Sequence, residues 1–416
     1  MNNKELDKKR KIHQLGVFGF FAMTASMVMT VYEYPSFASS GFKLVFFLII
    51  GGLFWFLPVS LCSAEMATVD GWEKGGIYSW VGNTLGQRWG FSALFFQWFQ
   101  ITVGFVTMCF FILAALAYVF KLDALYKNPL AMFFGVAIIV WVLTFTQLGG
   151  TKYTEKISKI GLIAGIAVPI LVLIIGLVAY FMTGGKSQID LSAKSLVPNF
   201  SDTHTLVIFA SFILAYMGVE ASASHVHELK EPNKMYPEVM IMLTILTICL
   251  DALGGLTVAT TLPAKTLNGN LSYGVIETFE NIYINHFGKQ FSWLVFVIAL
   301  LLALGVFAEI SAWIVGPSKA LLEAANDGIL PAKFAETNKN GVSVFTIVVQ
   351  AVIVTIWDAV LCGSIAISGG SDSSVGYLTA IGLTVVIYLA AYVLFFLGYF
   401  VLILRKGDIK REFHIP

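Results

Sequence analysis

The feature that most constrains this chain is a succession of long stretches without a single charge, among them residues 44–64, 89–120, 161–185 and 373–404. Each is at least the ~20 residues a helix needs to cross a bilayer. In hydrocarbon every backbone N–H and C=O must be paired within the structure, which leaves helices or closed barrels. A barrel would show alternating segments of roughly ten residues, and none is present. Charged residues make up 12% of the 416 positions, against roughly 25% in soluble domains. The chain reads as an all-α integral membrane protein.

Ten spans are expected, near 14–38, 43–67, 91–120, 130–147, 157–183, 205–227, 237–261, 288–318, 343–366 and 373–404. With residues 1–13 as a basic tail on the cytoplasmic side, nineteen of the 26 Lys and Arg fall on that side, including those in the closing segment 405–416. This bias supports both the orientation and the number of spans. No small-residue cleavage site follows the tail, so no cleaved signal is expected. Polar intervals such as 184–204, 262–287 and 319–342 are too short for a catalytic domain. Metal clusters, nucleophile–base pairs and phosphate loops are absent from the sequence, so no enzyme, metal or cofactor is expected. A net charge of +1 gives no sign of a nucleic-acid partner. Cys62, Cys109, Cys249 and Cys362 are isolated within apolar runs and read as buried reduced thiols.

The first and sixth spans depart from smooth aliphatic packing. "TASMVMTVYEYP" places Thr24, Ala25, Ser26, Thr30 and Glu33 at the centre of one, and "YMGVEASASH" places Gly218, Glu220 and a run of small residues in the other. Two such helices five spans apart fit an inverted repeat of five plus five, 14–183 and 205–404, with substrate held at breaks near the membrane midplane. Where a helix unwinds, its peptide groups lose their partners, and a zwitterionic ligand can take them up. Gly218 permits non-helical dihedrals, and Ala221, Ser222 and Ala223 allow close approach. The plainer alternative is that these small residues only pack helices together.

Six segments, "FFAMTASMVMTVYEYPSFASSGF", "LCSAEMATVDGWEKGGIYSWV", "QLGGTKYTEKISKIG", "YMGVEASASHVHE", "AEISAWIVGPSKA" and "LTVVIYLAAY", resemble the bacterial glutamate/4-aminobutyrate antiporters of acid resistance, in the amino acid, polyamine and organocation superfamily. The resemblance implies a LeuT-like core of ten helices, with the first and sixth unwound, working by alternating access. It implies import of glutamate and export of 4-aminobutyrate (GABA) across the bacterial inner membrane, coupled to a cytoplasmic glutamate decarboxylase. It places backbone of Ala25, Ser26, Met27, Tyr216, Met217 and Gly218 on the substrate's carboxylate and amino group. It also places Tyr32, Trp98, Glu220, Glu309, Trp313, Tyr388 and Tyr392 along the pathway, Trp98 standing where the best-known members carry tyrosine. Family members continue past this chain's last residues with two more helices and a segment that plugs the inner opening at neutral pH.

The residues support parts of this independently. Glu309 and Trp313 are one helical turn apart, as are Tyr388 and Tyr392, so each pair faces one way. Carboxylates mid-span demand a partner or a watery cavity, which makes Glu220 and Glu309 candidates for groups whose protonation sets the pH of transport. Asp251 and Asp358 sit in apolar surroundings without an assigned role. Glu33 and Glu65 read as capping or interfacial residues, Lys159 as an anchor at a membrane face, and His225 and His227 as solvated at a loop edge. Rival readings are an exchanger of other amino acids and a transport-dead sensor or partner subunit.

Overall fold

The computed structural model describes residues 15–415 except 30, 73, 201–208, 210, 211, 270 and 368–372. Among these residues, nine helices are long and apolar enough to cross a membrane. They are Val17–Ala38, Lys43–Ala67, Gln87–Phe120, Pro129–Gly149, Thr151–Met182, Pro232–Thr261, Lys289–Asn326, Val344–Ile367 and Leu378–Arg405. The expected sixth span lies between the fifth and sixth of these; most of 201–211 is outside the described residues. The protein is therefore an all-helical, multi-pass membrane protein.

Burial separates centre from rim. The first span is 82% buried and the third 78%, whereas most others are buried over less than half of their apolar window. Phe54, Leu130, Ile138, Met182, Ile356 and Val386 are exposed on the rim, a surface that only lipid can cover without cost. Cys249 is also on that outer surface, while Cys62, Cys109 and Cys362 are buried. The expectation of four buried thiols fails at Cys249 because apolar sequence marks a lipid-facing position as readily as a core one.

Small residues let the helices meet closely. A Cβ on Gly165 would lie 2.3 Å from Gly305 Cα, and one on Gly161 would lie 2.1 Å from Ala308 Cβ. This is the small-residue packing expected between membrane helices, and it fixes the fifth span against the helix that carries Glu309.

The first span is broken. An α-helix over Val17–Val28 ends at Met29, whose backbone is extended at φ −85°, ψ 92°; a 3-10 turn over Val31–Glu33 and a short helix over Tyr34–Ala38 follow. The sixth is broken too. Residues 212–214 are helical, Met217 and Gly218 are not, and a 3-10 helix runs over Val219–Glu228. Ten residues is long for a 3-10 helix, whose poor hydrogen-bond geometry usually limits it to one turn.

Beside Leu15, ionic contacts lace the helix ends together. The Leu15 N–H donates to Glu228 O at 2.8 Å. His225 is buried, with Nδ1 2.8 Å from Glu228 Oε2, and Lys319 closes on Glu228 as well. His225 is thus not a solvated loop histidine, and His227 is only partly exposed: the long 3-10 helix carries both further into the bundle than a loop would. Glu65 is also buried, and it pairs with Arg411 at 2.6 Å and accepts from the Tyr399 hydroxyl at 2.8 Å. It ties residues 411–415 to the end of the second span rather than facing an interface. Lys159 remains at the surface and pairs with Glu155 at 2.5 Å.

Candidate functional site

The two breaks face each other across a buried cavity of about 30 Å³, room for on the order of two waters. Met27 and Tyr32 line it from the first span, Met217 from the break of the sixth, Glu309 and Trp313 from the eighth and Tyr388 from the tenth. The third span contributes Gln100, Thr107 and Met108. The Tyr32 hydroxyl donates to Glu309 Oε1 at 3.3 Å, so the mid-membrane carboxylate has a partner and a polar opening, as hydrocarbon burial requires.

Peptide groups that the breaks would leave bare are capped by side chains. The Trp313 indole N–H donates to Met27 O at 3.0 Å. The Gly218 N–H donates to the Tyr392 hydroxyl oxygen at 2.9 Å. Gly218 adopts φ +105°, a left-handed conformation that costs a residue with a side chain ~1–2 kcal/mol. A Cβ there would also lie 2.4 Å from Trp313 Cζ2. Glycine is required on both counts.

Behind the cavity wall sits Glu220, 1% exposed. Its Oε2 accepts from Tyr392 at 2.7 Å, and its Oε1 accepts from Gln97 Nε2 at 2.9 Å and from the Tyr388 hydroxyl. The Tyr388 ring meets Tyr392 at 4.8 Å and Trp313 edge-on at 6.2 Å. One helical turn separates the members of each pair, and the geometry follows: Glu309 and Trp313 both face the cavity, whereas Tyr388 and Tyr392 both face Glu220.

The remaining sequence candidates stand further off. Ala25 and Ser26 lie in the last turn before the first break, with the Ser26 hydroxyl buried and unpaired among the described residues. Trp98 is buried without lining the cavity, and its indole N–H has no partner among the described residues. The Tyr216 ring stacks on Phe56 at 5.1 Å and its hydroxyl donates to Leu48 O at 2.9 Å, so the side chain belongs to the contact with the second span.

Glu33 corrects an expectation. It is fully buried and provides no side-chain cap, because the break carries the chain's second half inward instead of ending the span at a membrane face. Asp251, also buried, lies within electrostatic reach of Glu33 and Glu309. Among the described residues, no three His, Cys, Asp or Glu side chains are placed to hold a metal ion. Asp358 is buried and accepts from the Cys362 thiol at 3.3 Å.

Sequence reasoning missed Gln97 beside Glu220, and Gln100, Thr107 and, from the tenth span, Thr384 in the cavity lining. The signal was in "QWFQ", residues 97–100, where two amides three positions apart share one face of an otherwise apolar helix.

Comparison with known proteins is consistent along almost the whole chain. A family model described as amino acid permease matches residues 15–416. A glutamate/gamma-aminobutyrate antiporter of Lactococcus lactis is 54% identical over 403 residues, which is 97% of this chain and 78% of that protein. An uncharacterized transporter of Legionella pneumophila is 33% identical, over 83% of this chain and 73% of its own length. Among solved structures, that of MhsT in complex with L-phenylalanine superposes with a TM-score of 0.59 at 14% identity, over 92% of this chain and 98% of MhsT. The fold is therefore LeuT-like, with first and sixth spans unwound.

Proposed function

This chain belongs to the amino acid permease family, and from that premise we propose that it is a secondary exchanger of glutamate for GABA. The observation that carries the reading is the cavity between two broken helices, lined by a carboxylate and aromatic rings, in a chain 54% identical to a glutamate/gamma-aminobutyrate antiporter.

Both substrates are zwitterions of similar length, and the two breaks supply complementary peptide groups. The first helix ends in carbonyls that favour an ammonium; the 3-10 helix of the sixth begins with N–H groups that favour a carboxylate. Ala25, Ser26, Met27, Tyr216, Met217 and Gly218 provide that backbone. Tyr32, Glu309, Trp313 and Tyr388 line the site around it, Glu220 and Tyr392 hold it from behind, and Trp98 packs further off. Since the present cavity fits only water, substrate entry displaces Trp313 from Met27 and Tyr392 from Gly218, exchanging internal caps for the ligand's own charged ends. Alternating access then moves the loaded site between the two sides.

The reading puts the N-terminus on the cytoplasmic side of a bacterial inner membrane, and the basic tail with the excess of Lys and Arg on its side supports that orientation. A glutamate decarboxylase on that side would convert imported glutamate into exported GABA and consume a proton per cycle, which is the logic of acid resistance.

Proteoliposomes holding the purified chain, loaded with GABA and offered labelled glutamate at acid and neutral pH, test the reading. Uptake that requires internal GABA is expected. Uptake driven only by a different amino acid pair moves the substrate assignment elsewhere in the family; no exchange with any amino acid refutes transport.

A further inference from the structure

The hydrogen bonds around Glu220 have a direction that one residue imposes. A backbone N–H can only donate, so at 2.9 Å from Gly218 N the Tyr392 oxygen accepts, and its proton goes to Glu220 Oε2 at 2.7 Å. On Oε1 the Tyr388 hydroxyl donates, but a hydroxyl rotates freely and does not fix the direction of the bond. The Gln97 amide nitrogen, 2.9 Å from the same oxygen, can only donate. Turned the other way, its carbonyl would face a carboxylate, so the donor orientation is the one that fits. Gln97 is 2% exposed and does not line the cavity. Whatever it does for transport, it does through Glu220 and the tyrosines.

We propose that Gln97 is a positioning residue of the exchange site: the fixed donor that holds Glu220 against Tyr388 and Tyr392, and through Tyr392 keeps the Gly218 amide at the helix break capped. The proposal rests on the exchange reading above. It joins the third span to the sixth and tenth by one amide. Without that donor Glu220 is free to turn, Tyr392 loses its acceptor geometry, and the Tyr388 wall of the cavity loses its anchor.

Two variants separate hydrogen-bond donation from packing. Gln97→Leu keeps approximate size and donates nothing at any pH. Gln97→Glu donates through its O–H when protonated and donates nothing when ionised, when it also repels Glu220. The titratable groups facing Glu220 are Tyr388, Tyr392 and, from the seventh span, Tyr236.

In GABA-loaded proteoliposomes, Gln97→Leu is expected to lower labelled-glutamate uptake about tenfold at acid and neutral pH alike, the loss of one charge-assisted hydrogen bond. Gln97→Glu is expected to stay near wild type in acid and to fall about tenfold below it at neutral pH, reversibly. Hydrogen–deuterium exchange supplies a readout that needs no substrate: the amide of Gly218 should exchange about tenfold faster in Gln97→Leu, with eighth-span peptides unchanged. Unchanged exchange at Gly218 in that variant overturns the proposal whatever the transport result. So does a result in which both variants track wild type, or in which Gln97→Glu falls as far in acid as at neutral pH. If Gln97→Leu fails to insert, the pH response of Gln97→Glu decides. If wild type exchanges no glutamate, the substrate reading fails alone, and the Gly218 amide still decides the role of Gln97.

Discussion

The two helix breaks are built to opposite chemical signs. The first ends a helix, and what it presents is a carbonyl, Met27 O, covered by an indole N–H that can only donate. The sixth begins a helix, and what it presents is an amide, Gly218 N–H, covered by a phenol oxygen that also answers to Glu220. They also differ in backbone. The first break passes through an extended residue, Met29, that any side chain can adopt, while the sixth depends on a glycine at φ +105° packed on Trp313. One break is held by the side chain laid over it and the other by its own backbone conformation. The sixth should therefore be the less tolerant.

Gly218→Ala probes that difference most severely. The new methyl combines left-handed strain of ~1–2 kcal/mol with overpacking of ~1–3 kcal/mol against Trp313. Exchange is expected to fall by at least about a hundredfold, and the unfolding temperature in detergent to drop. Near-normal exchange would show that the sixth break needs no glycine, and the contrast with Met29 would dissolve.

Removing each cap in turn is the next test. Tyr392→Phe takes away the acceptor for Gly218 N–H and one of Glu220's donors together, whereas Trp313→Phe takes away only the donor to Met27 O. A buried polar group left unpaired costs ~1–3 kcal/mol, so Tyr392→Phe, with two groups affected, should show the larger loss of thermal stability. In transport the two should separate by substrate end. Analogues without the carboxylate are expected to feel Tyr392→Phe least, and analogues without the ammonium to feel Trp313→Phe least, read as changes in KM. Equal shifts for both analogues would mean the breaks do not divide the zwitterion between them.

Much of this was visible in the sequence, and what was hidden has a common cause. Uncharged runs placed nine of the ten expected spans among the described residues, and small residues at mid-span placed both breaks, because hydrocarbon allows no other economical arrangement of backbone. The caps were not legible: Trp313 lies 286 positions from Met27, and Tyr392 lies 174 from Gly218. Glu33 looked like a helix-end residue because it stands five positions before the expected end of the span at 38, and the sequence marks the break without showing that the half-helix beyond it is buried. Gln97 was marked as polar by its setting, yet its partner 123 positions away could be found only once the helices were assembled.

Ser26→Ala should have the smallest effect and is the most informative about the first break. The Ser26 hydroxyl is buried with no hydrogen-bond partner among the described residues, so the folded protein gains little from it. Replacing an unpaired buried hydroxyl with a methyl is expected to leave stability unchanged or raise it by up to ~1 kcal/mol, measurable as a shift of a few degrees in unfolding temperature at most. Transport then separates two ways in which the break can hold its ligand. If the first break offers only peptide groups, as the capped Met27 carbonyl suggests, KM for both substrates stays within about twofold, well below the loss of a hydrogen bond. A KM raised tenfold at unchanged stability would mean that the serine side chain reaches the ligand. The first break would then share with the sixth a dependence on the identity of its residue, and the asymmetry between them would shrink to backbone conformation alone.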